Sequence, residues 1–295
     1  MTMRVLVTGG AGFLGAAFAA RARGAGHAVS TLDLRGDVDR RCDIGDPAAV
    51  TAAVRTLAPE AIVHLAAMLT DSSTADPLAA TRINALGTAA VFDAAARVRV
   101  AKVVYASSVA AVGSCRDGAG DAVLLAPGTV YGATKAFGEH LARAMSLAPG
   151  APSYVVLRFG WIYGPGRERG WRVAQDVVES FARGEPLVRY PDFPEPIDWT
   201  YVDDAAEVLL RAVERPLQRF AAFNVLGDKR TMRDAIAHLV RRFPKVAVEP
   251  VPAQTPTSAW SLHNEGLSAA LGYAPTTRLE DGIDAMLMSG PSPET

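Results

Sequence analysis

Arg4-Val5-Leu6-Val7-Thr8-Gly9-Gly10-Ala11-Gly12-Phe13-Leu14-Gly15 is the stretch whose reading decides the fold. Arg4 to Thr8 is β-branched-rich and ends at glycine, as a buried strand does. From about Gly12 to Gly24 the pattern becomes that of a helix, stopped by Gly24 and Gly26. Gly9 lets the chain turn sharply, Gly12 lets backbone N–H groups approach a pyrophosphate, and Gly15 permits close helix–strand packing. Asp33 ends the next strand, His27 to Asp33, at the distance where a carboxylate bonds both ribose hydroxyls of a dinucleotide. That acid repels a 2′-phosphate, so the expected cofactor is NAD rather than NADP, with Arg35 the one nearby residue that favours a phosphate.

Outward from this loop, short apolar runs alternate with longer Ala-rich ones. Asp46-Pro47 opens a helix, Pro being favoured in the first turn. Ala61–Ala66, Lys102–Ser107 and Ser153–Phe159 read as strands; helices are expected from about Pro77 to Val98 and Tyr131 to Leu147. This rhythm predicts an α/β fold, a doubly wound parallel (Rossmann) sheet with ligands beyond the strands' carboxyl ends. After residue 160, prolines 186, 191, 194 and 196 break the alternation. The expected division is therefore a dinucleotide-binding domain over 1–160 and a smaller substrate-binding lobe over 161–295. Some of the latter, such as Phe223–Leu226, returns to the core, and the tail after Met288 is expected to be loose.

Composition closes off other classes. The 295 residues carry 30 Lys+Arg against 31 Asp+Glu and are 49% hydrophobic. Disorder is excluded, and the balanced charge gives no footprint for nucleic acid. Cys42 and Cys115 make neither a disulfide framework nor a zinc pattern, and no metal site is expected. The N-terminal apolar run superficially resembles a secretory signal, but Gly9, Gly10, Gly12 and Gly15 punctuate it and Arg21 and Arg23 close it. No other stretch approaches the ~18 apolar residues of a membrane span. A soluble, cytoplasmic protein is expected.

Tyr131-Gly132-Ala133-Thr134-Lys135 puts a phenol and an ammonium on one helical face, at i and i+4. An unperturbed phenol, pKa about 10, is a poor base at neutral pH. A cation held beside it favours phenolate. Ser107-Ser108 ends a strand at the sheet edge where the cofactor is expected, and a hydroxyl there can hold a substrate oxygen or cap the following loop. Asp43, after the third strand, can meet the adenine amino group, or be a loop acid or cap for the Asp46-Pro47 helix.

With these residues in this order the chain resembles an extended short-chain dehydrogenase/reductase of the NAD-dependent epimerase/dehydratase group. Further matching motifs are His64-Leu65-Ala66-Ala67, Asn84-Ala85-Leu86-Gly87-Thr88, Arg158 with Tyr163-Gly164-Pro165, and Tyr201-Val202-Asp203-Asp204. The resemblance implies Ser108, Tyr131 and Lys135 as catalytic residues, with Ser108 rather than Ser107 the working hydroxyl. It implies that Leu65 and Ala66 line the cofactor and that Asn84 orders water or backbone near Lys135. The cofactor-binding set expected is Gly9, Gly12, Phe13, Leu14, Gly15, Asp33, Asp43, Ile44, Leu65, Ala66, Ala67, Asn84, Tyr131 and Lys135. His64 is expected to be packed rather than catalytic.

Departures from the family's pattern bear on the reaction. Dehydratases follow the catalytic hydroxyl with an acidic pair; Val109 and Ala110 stand there, and neither moves a proton. Epimerases resembling this chain grip a nucleotide diphosphate through an asparagine and an arginine, where Trp161 and Ile197 stand. Arg167, Arg169, Arg172 and Arg189 can replace the lost cation or form a solvated basic loop. Met68, with Leu69 and Thr70, together with Ser108, Trp161 and Arg167, is expected to face the substrate. The leading expectation is an NAD-dependent dehydrogenase or reductase of a sugar, hydroxy acid or similar small carbinol. The alternatives are a nucleotide-sugar 4-epimerase with tightly held NAD, and a catalytically silent dinucleotide sensor. A homodimer is expected, paired through the helices near 77–98 and 131–147 with Ala89, Ala90 and Ala94 allowing close approach; burial within one subunit explains those alanines equally well.

Overall fold

The computed structural model describes residues 2–114, 120–253 and 262–290. Cys115 and the tail from 291 to 295 lie outside the described residues.

The first part of the chain builds β1 (Arg4–Thr8), α1 (Phe13–Gly24), β2 (Ala28–Asp33), β3 (Arg40–Arg41), α2 (Pro47–Leu57) and β4 (Ala61–His64). Asp46 caps α2, its carboxylate accepting from the N–H groups of Ala48 and Ala49 at 3.0 and 3.1 Å. There follow α3 (Thr70–Ala75) and α4 (Pro77–Ala80), then a π-helical turn over Thr81–Leu86 that runs into α5 (Gly87–Val98). Next come β5 (Lys102–Ser108), α6 (Val130–Ser146) and β6 (Ser153–Phe159).

The six strands, with a later one, form a seven-stranded parallel sheet ordered β10-β6-β5-β4-β1-β2-β3, where β10 is Phe220–Val225. Strand order reverses between β1 and β4, and a crevice opens beyond their carboxyl ends at such a switch point. Period-two alternation sorts the side chains between the two faces. Val5 and Val7 pack with Phe18 of α1 and Leu209 of α8 (Val202–Glu214), whereas Leu6 packs with Val54 of α2 and Phe92 of α5. Helix α8 thus lies in the second half of the sequence but covers the sheet. Lys102 fastens it there, its ammonium donating to the end carbonyls of Ala212, Val213 and Arg215 at 2.6–2.9 Å.

The lobe comprises a three-stranded sheet, β7 (Trp161–Tyr163), β9 (Ile197–Tyr201) and β11 (Asp228–Arg230), and a parallel pair, β8 (Leu187–Asp192) with β12 (Ala247–Pro252). Helices α7 (Val173–Ala182), α9 (Met232–Arg242) and α11 (Leu279–Ser289) close an aromatic core around Trp199 and Phe181. Helix α10 (Glu265–Leu271) returns to the main sheet, where Leu267 and Leu271 are buried. Met288, from which a loose tail was expected, is still inside α11.

Packing decides between the two explanations open for the alanines of α5. Ala90 and Ala94 are buried within the subunit between α5 and the sheet, so they cannot form an interface between copies. The larger apolar side chains exposed on these helices are Leu78, Leu86 and Phe137. Among the described residues, no helix is long and apolar enough to cross a membrane, and no group of three or more His, Cys, Asp or Glu could hold a metal ion.

Candidate active site

The glycine loop leaves β1 at the switch point and is held by backbone contacts. Gly9 and Gly10 N–H groups donate to the Leu32 carbonyl at 2.8 and 3.2 Å. Gly9 has φ +74°, and a Cβ there would lie 2.7 Å from the Ala66 nitrogen. A Cβ at Gly15 would run into the Gly9 carbonyl. This cradle sets the start of α1 beside the loop after β4, with Leu14 and Leu65 packed against the same core cluster. Gly12 caps α1 without a side-chain bond, and the first turn has no acid, so free N–H groups and the positive end of the helix dipole face outward unopposed. Asp33 sits half-buried at the end of β2, where Oδ2 accepts from Ala11 N–H at 3.2 Å and Oδ1 from Leu34 N–H at 2.7 Å. A dinucleotide fits this arrangement: an anion site without competing acid, closed by a carboxylate of fixed orientation. Arg35 is exposed on the following turn.

Around the crevice the other expected residues divide. Leu65 and Ala66 abut Gly9, with Leu65 N–H bonded to the Thr8 carbonyl at 3.1 Å. Ala67 and Met68 continue from there, half-buried. Asp43 is not the cap of α2, since Asp46 is. Burial raises its pKa, but the Gly45 N–H at 2.8 Å and Arg82 at 2.9 Å outweigh that and hold it below the usual range. Ile44 is buried in the core against Gly87. Asn84, inside the π-turn, pins Met68 from both sides: Oδ1 accepts its N–H at 2.7 Å and Nδ2 donates to its carbonyl at 3.0 Å. Nδ2 also donates to Thr134 Oγ1 at 3.2 Å, beside Lys135, and π-turns often mark such positions.

Tyr131 and Lys135 project from α6 toward the end of β5. Lys135 is almost wholly buried and donates from Nζ to the Ala106 carbonyl at 2.8 Å, with the Tyr131 ring centroid 5.6 Å away. Burial pushes the ammonium down to about 7, opposed by Glu139. Burial pushes the Tyr131 phenol up to about 12, while a hydrogen bond with Ser108 and the positive charge of Arg167 pull it back. The two serines separate cleanly. Ser107 is buried and donates to Glu139 at 2.5 Å, whereas Ser108, half-buried, faces Tyr131 and accepts from Ala110 N–H at 3.2 Å. The expected working hydroxyl and the loop-capping role therefore reside in the same residue. His64 is packed: Nδ1 meets Thr8 Oγ1 at 2.6 Å, Nε2 meets Thr88 Oγ1 at 3.0 Å, and burial, with Lys135 nearby, holds its pKa down at about 3.

From the lobe, Arg167 reaches the crevice. Its guanidinium lies 5.5 Å from the Phe13 ring centroid, Nη1 donates to the Ile162 carbonyl at 2.7 Å, and Nε is buried with no partner among the described residues. The other arginines are engaged elsewhere or exposed: Arg172 with Asp176 and Glu179, Arg189 with Glu249, and Arg169 on the surface. Trp161 lies against Trp171 with centroids 3.7 Å apart and ring planes tilted by 39°, and both line a small pocket with Arg167 and Gln175. Trp161 is thus both lobe core and pocket wall. Ile197 is buried in the lobe core. Glu139, Asp121 and Asn224, which the sequence reading did not single out, join behind Lys135 with Arg158, which it named only as part of a matching motif. The available signal was Glu139 at i+8 from Tyr131, on the same helical face.

Comparison with known proteins gives the family and the fold. The profile of the NAD dependent epimerase/dehydratase family matches residues 5–243, and the chain belongs to that family. A dTDP-glucose 4,6-dehydratase of Streptomyces niveus is 36% identical over 230 residues, 68% of this chain and 66% of its own. The dTDP-L-rhamnose 4-epimerase of Burkholderia thailandensis is 26% identical over 95% of this chain and 93% of its own. The Thermus thermophilus UDP-glucose 4-epimerase, solved with NAD, superposes with a TM-score of 0.84 at 27% identity, covering 97% of this chain and 98% of that one.

Proposed function

We propose that this protein is an NAD-dependent nucleotide-sugar epimerase, inverting a secondary carbinol of the sugar by oxidation and re-reduction. The alternative named from the sequence replaces the small-carbinol dehydrogenase as the leading reading, because the relatives compared act on nucleotide-linked sugars. The observation that carries it is the convergence of Ser108, Tyr131 and Lys135 on one edge of the crevice, with Val109 and Ala110 beside them. That set moves a hydroxyl proton and steadies the oxygen, but offers no acid–base pair for expelling water, which argues against dehydration.

Gly9 and Gly12 would let the dinucleotide's pyrophosphate approach the start of α1, Gly15 keeps α1 against the loop, and Asp33 would hold the adenosine ribose. Bound NAD supplies the hydride acceptor and, once reduced, the donor. Tyr131 would take the carbinol proton on oxidation and return it to the same oxygen on re-reduction. Ser108 hydrogen-bonds that oxygen throughout. Lys135, whose ammonium sits beside the phenol, favours phenolate over phenol in the loaded site. Arg167, whose Nε has no partner among the described residues, is the cation that would meet the diphosphate in place of the arginine absent at Ile197.

A second reading, a dehydrogenase of a smaller acidic carbinol, is favoured by Trp161 and Ile197 standing where a diphosphate grip is expected. Incubation with UDP- and dTDP-hexoses, with product stereochemistry and 340 nm absorbance followed together, separates the two. The epimeric nucleotide sugar with no net NADH is expected; stoichiometric NADH with a keto product replaces the first reading by the second.

A further inference from the structure

The carboxyl ends of β5, β6 and β10 place Ser107, Arg158 and Asn224 in one cross-strand row. Glu139 of α6 lies over that row. Ser107 Oγ donates to Glu139 Oε1 at 2.5 Å. Arg158 forks onto the same carboxylate, Nε at 3.0 Å from both oxygens and Nη2 at 2.7 Å from Oε2. Its Nη1 donates to the Asp121 carbonyl at 2.9 Å and to Asn224 Oδ1 at 3.4 Å, while the Asp121 carboxylate accepts from Asn224 N–H at 2.7 Å. The Arg158 and Glu139 side chains are 5% and 3% exposed. A buried ion pair is seldom a net stabiliser of a fold, so its location calls for another explanation.

That location is one helical turn beyond Lys135, on the face of α6 that carries Tyr131, Lys135 and Glu139 at successive i+4 steps. The strand residue that Glu139 clamps, Ser107, stands between two working positions. Before it is Ala106, whose carbonyl receives Lys135; after it is Ser108, which faces Tyr131.

We propose that Glu139, braced by Arg158, is the positioning residue of the proton-handling pair: it fixes the end of β5 and presents a carboxylate to the Lys135 ammonium. This rests on the reading of Tyr131 and Lys135 given above. The groups facing Lys135 are His64 of β4, held neutral, the Tyr105 ring of β5 at 5.1 Å, and Tyr131 and Glu139 on α6. Arg167 faces Tyr131 from the lobe; Arg158 of β6 faces Glu139 and is backed by Asp121. Burial pulls the ammonium toward deprotonation and Glu139 opposes it. Without the carboxylate, Lys135 gives up its proton at lower pH, the positive charge beside the Tyr131 ring is lost with it, and less phenolate forms.

The chain has four lysines, Lys102, Lys135, Lys229 and Lys245, so 15N-lysine labelling gives four Nζ signals, Lys135 being the one that disappears in Lys135→Arg. In Glu139→Gln the Lys135 titration midpoint is expected to fall by about one pH unit. The acid limb of the kcat–pH profile should move the same way, with its plateau lowered about tenfold or more. Glu139→Asp, which keeps the charge but withdraws it, should give a smaller shift in the same direction, and it stands in if the Gln variant does not fold. A midpoint identical to wild type in the folded variants overturns the proposal even where activity falls, since a merely structural role would do that. The Nζ titration needs no turnover, so a shifted midpoint in a protein inactive on nucleotide sugars would sink the proposed reaction and leave the Glu139 role standing.

Discussion

Three glycines of α1 and its loop form a graded test of the dinucleotide cradle. A Cβ at Gly15 overlaps the Gly9 carbonyl, with the Gly9 carbon at 2.9 Å and Gly10 Cα at 3.0 Å. All of these are backbone, so no side chain can turn away. Gly15→Ala must therefore displace α1 from the loop by something like an ångström. Overpacking of this kind costs about 1–3 kcal/mol of stability. Placed at the anion site, the same displacement should weaken NAD binding about tenfold or more, tenfold being ~1.4 kcal/mol. Gly12→Ala meets only the Gly9 oxygen, at 3.1 Å, and should lower affinity by no more than about threefold, well under ~1 kcal/mol. At Gly24, the last residue of α1, nothing lies within 4 Å, and alanine should stabilise by about 0.4–1 kcal/mol through the unfolded chain. Urea unfolding and calorimetric titration with NAD read both quantities. Gly15→Ala binding NAD and unfolding like wild type would refute the steric reasoning.

Four further outcomes are expected. Tyr131→Phe should reduce turnover by roughly 10²–10⁴, the range for losing a general acid–base group, while NAD still binds; steady-state rates and dinucleotide fluorescence measure the two. His64 is held neutral with a pKa of about 3, so on acidification the unfolded chain takes up its proton first. Stability from this group is complete above about pH 6.5 and declines as pH falls toward 3, by about 2 kcal/mol at pH 5; a His64→Gln variant should lose that part of the slope in denaturant titrations. Asp33→Ser should narrow the preference for NAD over NADP by about tenfold, read from paired Kd values. Pairing of two copies through the faces carrying Leu86 and Phe137 predicts a dimer in sedimentation that Phe137→Glu converts to monomer.

The central sheet was legible because β1, β4, β5 and β6 are buried on both faces and read as unbroken apolar runs, and because glycines mark the turn after β1. Tyr131 and Lys135 on one face of α6 and Asp33 at the end of β2 could be placed from spacing, whereas the choice of Ser108 over Ser107 came from the family resemblance. Less could be read where geometry depends on three dimensions. Ala90 and Ala94 look the same whether they face a second copy or their own sheet, and only packing assigns them to the latter. Asp43 and Asp46 are both plausible caps in a string of letters, and backbone direction selects Asp46. The clamp on Ser107 joins residues from positions 107, 121, 139, 158 and 224, which sequence separation hides and the parallel register brings into one row.

The most direct measurement of the central claim follows a deuteron at the reacting carbon. A nucleotide hexose deuterated at C4, incubated with enzyme carrying NAD, should return as the C4 epimer with the deuteron still on C4, because the hydride leaves and comes back within one site. Deuterium accumulating in released NADH, or an epimer formed with the label exchanged into water, would contradict oxidation and re-reduction by Tyr131, Ser108 and Lys135.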